Sequence, residues 1–257
     1  MSATYPSLLI SDDGRNSLYY VPFEYINPAA KLVLVEISPG PTQMQIANNT
    51  CRELLRKGAG HDEIAVRAKL AGAFGGTKFR KNLCAMLDHF YVNEWLGLPC
   101  SSALFTSHQD LLYSTSIVPH AAFVKGKYLN DSFKTVMKVP AFNECFLESF
   151  VKRIPEMHSD SKFIALGHIP LEGLNWCVER GFLDTSRVIG AIAHPCGNAG
   201  SQVDLFLGRR KLHELKSGDP VRHRISTFNK HYDLMASSMS ALVSRQLPTF
   251  TRTHALC

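Results

Sequence analysis

Apolar runs alternate with amphipathic stretches along this chain, the pattern of a largely parallel sheet flanked by helices. Lys31–Ile37 (KLVLVEI) reads as a buried strand that stops at Ser38-Pro39-Gly40-Pro41, after which Gln43–Lys57 has helical periodicity ending near Gly58. A second helix is predicted over His61–Leu70, a loop over Gly72–Gly76 (GAFGG) and a third helix over Phe79–Leu96. Asp110–Val118 is the next strand, closed by Pro119, and Pro119–Pro140 is loop with at most a short hairpin. Glu144–Ile154 reads as helix, Lys162–Leu166 as strand ending at Gly167, and Leu171–Arg180 as helix ending at Gly181. The last strand is Arg187–Ala193 (RVIGAIA), which runs into His194-Pro195-Cys196-Gly197-Asn198. Two further helices, over 202–216 and 221–245, complete the chain. Four buried strands separated by helices make one α/β domain over residues 1–257, built on a four-stranded, largely parallel sheet.

Composition agrees with that reading. The 257 residues are 45% apolar and 19% charged, enough for a substantial core and unlike a disordered polypeptide. No run approaches the length a membrane-spanning helix needs, and Met1–Asp13 lacks the pattern of a secretion signal, so a cytoplasmic protein without membrane association is expected. The seven cysteines (51, 84, 100, 145, 177, 196 and 257) are odd in number and widely spaced, which reads as reduced thiols rather than a zinc or iron–sulfur site. Lys+Arg and Asp+Glu balance at 19 each over residues 1–208, whereas 209–257 carry nine against three. The whole excess of +6 therefore lies in the C-terminal helical segment, which suits either a solvated basic face or a track for phosphates.

In open α/β sheets, ligands bind beyond the carboxyl ends of the strands. The loops there carry Ser38–Gln43, Ser114-Thr115-Ser116 leading to Val118-Pro119, Gly167-His168 and His194–Asn198, with Gly72–Gly76 able to fold over them. The Ser38–Gln43 loop is a compact strand-to-helix turn whose helix N-terminus offers free N–H groups. His194, directly after a buried strand and held by Pro195, points a titratable group at the ligand side. Phe74, set among glycines, is either a core anchor or an aromatic platform for a flat ligand. His108, His120 and His168 show no partner pattern. No P-loop, G-x-G-x-x-G or G-x-S-x-G motif is present.

The order Ser38-Pro39-Gly40-Pro41, Ala73-Phe74-Gly75-Gly76, Thr115-Ser116-Ile117-Val118 and His194-Pro195-Cys196-Gly197-Asn198 resembles the uracil-DNA glycosylase superfamily over about residues 20–210. The resemblance implies a monofunctional glycosylase that flips uracil from single- or double-stranded DNA and leaves an abasic site. It would act as a monomer without metal or redox cofactor. By the same resemblance His194 stabilises the departing base and Phe74 stacks on it. Ile37, Ser38, Pro39, Gly40 and Gln43 hold sugar and water, Ser116 stands where the base-reading Asn would be, and Asn198 fixes the loop or touches the DNA. Pro41, Gly197, Ala199, Gly200, Arg209 and Arg210 would meet DNA, joined by Gln202 and Lys211.

Two positions depart from the family pattern. Ser38 replaces an Asp or Asn that would activate water, and a hydroxyl is no base at neutral pH. Glu36, the nearest carboxylate, lies within the strand. Ser116 offers a single hydrogen bond where an amide would make two. Slow catalysis depending on His194 is therefore one expectation, and a protein that binds abasic or damaged DNA without efficient turnover is the other.

Overall fold

The computed structural model describes residues 6–196 and 201–246. It opens on an antiparallel pair that the hydrophobic pattern did not announce, β1 (Leu9–Asp12) and β2 (Asn16–Tyr19). The turn between them is an Asp13-Gly14 step: Gly14 takes a φ of 82°, and the Asp13 carboxylate accepts the Arg15 and Asn16 backbone N–H groups. Leu9 and Ile10 are both exposed, so no buried alternation marks it.

The four predicted strands all form: β3 (Leu32–Glu36), β4 (Leu112–Ser116), then, after an intervening hairpin, β7 (Lys162–Leu166) and β8 (Val188–Ile192). That hairpin is β5 (Ala121–Val124) and β6 (Lys127–Tyr128), turning through Lys125-Gly126. The four buried strands make one parallel sheet in the order β4-β3-β7-β8. The hairpin joins the N-terminal ribbon in a second, antiparallel sheet, β1-β2-β5-β6. The fold is thus α/β, with the parallel sheet expected and a smaller antiparallel sheet added.

Period-two alternation in β3 sends Val33 and Val35 to one face and Leu32 and Leu34 to the other. The first face packs against α5 (Phe133–Lys138), α6 (Pro140–Ser149) and α7 (His168–Glu179), through Phe142, Phe146 and Leu174. The second packs against α3 (Thr77–His89), α4 (Val92–Leu96), α8 (Gln202–Phe206) and α9 (Ile225–Gln246), through Leu83, Met86, Leu87 and Met235. α1 (Pro41–Arg56) and α2 (His61–Gly72) pack on each other beside a third cluster around Phe23, Met44 and Ala47. Where α9 crosses β8, Gly190 has a φ of 151°, and a Cβ there would stand 3.2 Å from the Leu234 Cγ and the Met235 Sδ. No larger residue gives α9 that approach.

Three helix expectations need correction. Phe79–Leu96 is not continuous: Tyr91 takes a left-handed φ of 59°, ending α3 so that Phe90 turns inward onto Phe206 and Tyr232 and α4 starts anew. The helix expected at Glu144–Ile154 starts at Pro140 and gives way after Ser149 to 3-10 turns over Val151–Glu156. The segment 202–216 is helical only to Phe206; Gly208, at a φ of 69°, ends it, and a single 3-10 turn follows at Leu212–Glu214. No helix among the described residues is long and apolar enough to cross a membrane.

Candidate functional site

The carboxyl ends of β3, β4 and β8 converge on a small buried cluster. Glu36 closes β3 in register with Ser116, the last residue of β4. Alternation places its side chain on the face that carries Leu32 and Leu34, so a carboxyl enters an apolar layer. Glu36 is 4% exposed, and the Gln43 amide, one turn into α1, donates to its Oε2 at 2.9 Å. Burial drives its pKa up to about 8, against the smaller opposing pull of the Gln43 hydrogen bond.

His194 follows β8 and presents its Nε2 3.9 Å from the Glu36 Oε1. The Cys196 backbone N–H donates to its Nδ1 at 3.3 Å, so Nδ1 keeps its lone pair and the proton sits on Nε2. Burial holds the imidazole neutral, with a pKa of about 4. Two side chains fix the loop that carries it: Asn82 of α3 donates to the Pro195 carbonyl at 2.9 Å, and Gln202 of α8 donates to the His194 carbonyl at 2.5 Å. Gly167, with a φ of 104°, leaves the end of β7 clear beside the His194 Cβ. His194 is therefore a preset hydrogen donor whose side chain keeps 28% of its surface open.

Aromatic rings stack up to this donor. Phe79 meets the His194 ring edge-on at 5.6 Å, and Phe74 lies parallel behind Phe79 at 5.8 Å. Phe74 is 1% exposed and belongs to the core with Leu34, Leu83 and Leu166, so its ring is an anchor and the ring beside His194 is that of Phe79. The Phe74 loop is held by Arg80, whose guanidinium donates to the Leu70 and Ala73 carbonyls at 3.2 Å each and lies over Phe105. The chain passes close at Gly75, where a Cβ would stand 2.8 Å from the Ile46 Cδ1 and 3.0 Å from the Gly72 carbonyl oxygen.

Ser38 differs from its expected part. Its hydroxyl donates to the His120 carbonyl and accepts the Ala122 N–H, both at 2.9 Å, and it is wholly buried. It ties the β3 loop to the antiparallel hairpin and has no hydrogen left to orient water. Ile37 and Pro39 are buried beneath the same loop, while Gly40 caps α1 and Pro41 begins it on the outside. Tyr128 of β6 reaches the Ser38 hydroxyl, and burial together with the neighbouring Glu36 pushes its phenol far up. Ser116 is buried beside Glu36. Gly197, Asn198, Ala199 and Gly200 lie outside the described residues.

Arg209, Arg210 and Lys211 are exposed after α8, and Arg210 donates to the Ser201 hydroxyl at 2.7 Å, bracing the far end of the His194 loop. Close to Arg209, an open cavity of about 270 Å³ lies between α8 and α9, faced by His89, Phe206, Phe228 and Tyr232. No group of three or more His, Cys, Asp or Glu side chains among the described residues is arranged to hold a metal ion. Sequence reasoning missed Phe79, Asn82 and Tyr128, and passed over Glu36 because it lies in the strand. A carboxylate inside an otherwise apolar strand was the signal available.

These elements define an α/β protein with a buried donor–acid pair at the strand ends. The chain is 26% identical over 198 residues, 77% of each protein, to the uncharacterized protein YoxB of Bacillus subtilis (strain 168). No protein-family model and no solved structure matches it.

Proposed function

We propose that this chain is a DNA glycosylase that takes uracil out of the helix and hydrolyses its N-glycosidic bond, leaving an abasic site. The observation that carries the reading is His194: a neutral imidazole, locked in the Nε2–H tautomer by the Cys196 N–H, at the carboxyl end of a parallel sheet. A base departing as an anion needs such a donor, preorganised where water is scarce. His194 donates to the leaving base, Phe79 backed by Phe74 gives it a stacking face, and the Ser38–Gln43 turn lies under the sugar. Arg209 and Lys211 meet phosphates, which helps offset the few kcal/mol of flipping. The aromatic cavity beside Arg209 offers stacking to a neighbouring unpaired nucleotide.

The test is an end-labelled oligonucleotide with one uracil, single-stranded and then opposite guanine, followed by alkali. Alkali-dependent cleavage that falls on the order of a hundredfold or more in His194→Ala supports the reading; equal turnover by the mutant removes His194 from the chemistry. One observation favours a second reading, a protein that binds abasic DNA without turnover: the Ser38 hydroxyl is spent on the hairpin backbone. Tight, salt-sensitive retention of abasic DNA with no base released would select it.

A further inference from the structure

Among the described residues, Glu36 is a carboxyl with no Lys or Arg setting its charge. Its oxygens meet the Gln43 amide of α1 and the His194 imidazole, with Ser116 of β4 alongside and the Tyr128 phenol of β6 near enough to feel its charge. The Cys196 thiol, two residues from His194, is a further ionisable group near Tyr128. His194 and Tyr128 are both neutral through the middle pH range, so neither balances a carboxylate. Because the Gln43 N–H donates to Oε2, that oxygen is the acceptor of the acid form and the proton belongs on Oε1, the atom that faces His194.

Resting on the glycosylase reading above, we propose that Glu36 works as an un-ionised carboxylic acid whose Oε1–H gives the departing base a second hydrogen bond beside His194. Two donor atoms 3.9 Å apart can both reach one oxygen at an ordinary length of about 2.8 Å, the arrangement of an oxyanion hole. A neutral carboxyl serving as donor is established chemistry for buried acids. An ionised Glu36 would do the reverse: it would capture the Nε2–H of His194 and repel the leaving anion. The role is therefore opposite to that of a water-activating base, and the two give opposite results on substitution and on pH.

The test is single-turnover release of uracil from a single-stranded oligonucleotide between pH 6 and 9.5, by wild type, Glu36→Gln, Glu36→Ala and Cys196→Ser. Wild type is expected to hold its rate at lower pH and lose about tenfold per unit once Glu36 ionises, near pH 8. Glu36→Gln keeps a donor N–H and cannot ionise, so it stays within about tenfold of wild type at pH 7 and loses the alkaline fall. Glu36→Ala drops by about 10²–10³. Cys196→Ser keeps the alkaline fall. A Glu36→Gln enzyme as inactive as Glu36→Ala, a wild-type rate that climbs through pH 8, or an alkaline fall that vanishes with Cys196 would overturn the proposal while leaving the glycosylase reading intact. Wild type that releases no uracil at any pH overturns that reading and the donor role with it. Carbon-13 NMR of the Glu36 carboxyl is independent of activity: a midpoint near the ordinary 4.5 rather than about 8 overturns the neutral acid whatever the enzyme does.

Discussion

Replacing Glu36 by Gln tests the burial argument on stability, apart from any activity. Gln has nearly the same shape, keeps a partner for the Gln43 amide and carries no charge at any pH. In the folded chain Glu36 titrates near 8, against 4.5 when solvated. Between those values the native state holds a proton that the unfolded state has released, so wild-type stability falls as pH rises across this window and levels above it. At about 1.4 kcal/mol per unit the whole loss comes to about 5 kcal/mol, an upper figure if water enters as the carboxyl ionises. His194 contributes in the opposite sense between about 4 and 6.5, gaining stability as pH rises, but it is common to both proteins and cancels in their difference. Urea unfolding of both proteins at pH 5, 6, 7, 8 and 9 gives the comparison. Glu36→Gln should match wild type near pH 5 and exceed it by several kcal/mol at pH 8–9. A difference that does not change with pH, or wild type gaining on the mutant as pH rises, would refute the burial argument.

Other substitutions separate structural parts from chemical ones. Ser38→Ala strips the partners from the His120 carbonyl and the Ala122 N–H and should cost about 1–3 kcal/mol in urea unfolding. Under conditions where it stays folded it should release uracil within a few-fold of wild type; a hundredfold loss would return Ser38 to the chemistry. Phe79→Ala should lower uracil release at least tenfold with a modest stability cost, whereas Phe74→Ala, in the core, should cost about 3–5 kcal/mol. Thermal melts beside single-turnover rates tell the two apart, and a Phe74 mutant as stable as wild type would contradict its packing. Gly190→Val drives side-chain carbon into Leu234 and Met235 and should lower the melting temperature by several degrees, while an unchanged melt would mean α9 does not close on β8.

The parallel sheet was legible because β3, β7 and β8 are short apolar runs with Ser38-Pro39, Gly167 and Pro195 close behind them, and β4 lies just before Pro119; all four formed where expected. The antiparallel sheet was not, since β1 carries exposed Leu9 and Ile10 and its only local signal is the Asp13-Gly14 turn. The break at Tyr91 was hidden for another reason. Residues 79–96 do carry helical periodicity, but the contacts of Phe90 with Phe206 and Tyr232 are made to residues over a hundred positions away. At the site, His194 could be picked out by its place after a buried strand. Its tautomer could not, because that depends on the Cys196 N–H and the turn between them. Phe74, set among glycines, could be read as a core anchor or as a platform; the structure makes it the anchor, buried and stacked under Phe79.

Glu36 and His194 stand close enough to be taken for an ion pair, and the physical case runs against one. At 3.9 Å no hydrogen bond joins them, so an ionic form would gain only Coulomb attraction while two charges lost their hydration. Their pKa values, about 8 for the acid and about 4 for the imidazole, lie in the reverse of the order an ion pair requires. With the acid the weaker proton donor, the proton stays on Glu36 and the pair is neutral at pH 7. An ion pair would be full before any ligand arrived, its donor hydrogen already satisfied by its acceptor. The neutral pair instead leaves both hydrogens, on Nε2 and Oε1, without a charged partner, so each gains most when an anionic oxygen comes within reach. Burial at the strand ends is what keeps the pair neutral. Placing an acid at the buried end of such a strand weakens the fold as pH rises and, on the donor proposal, would set two hydrogens toward a developing negative charge.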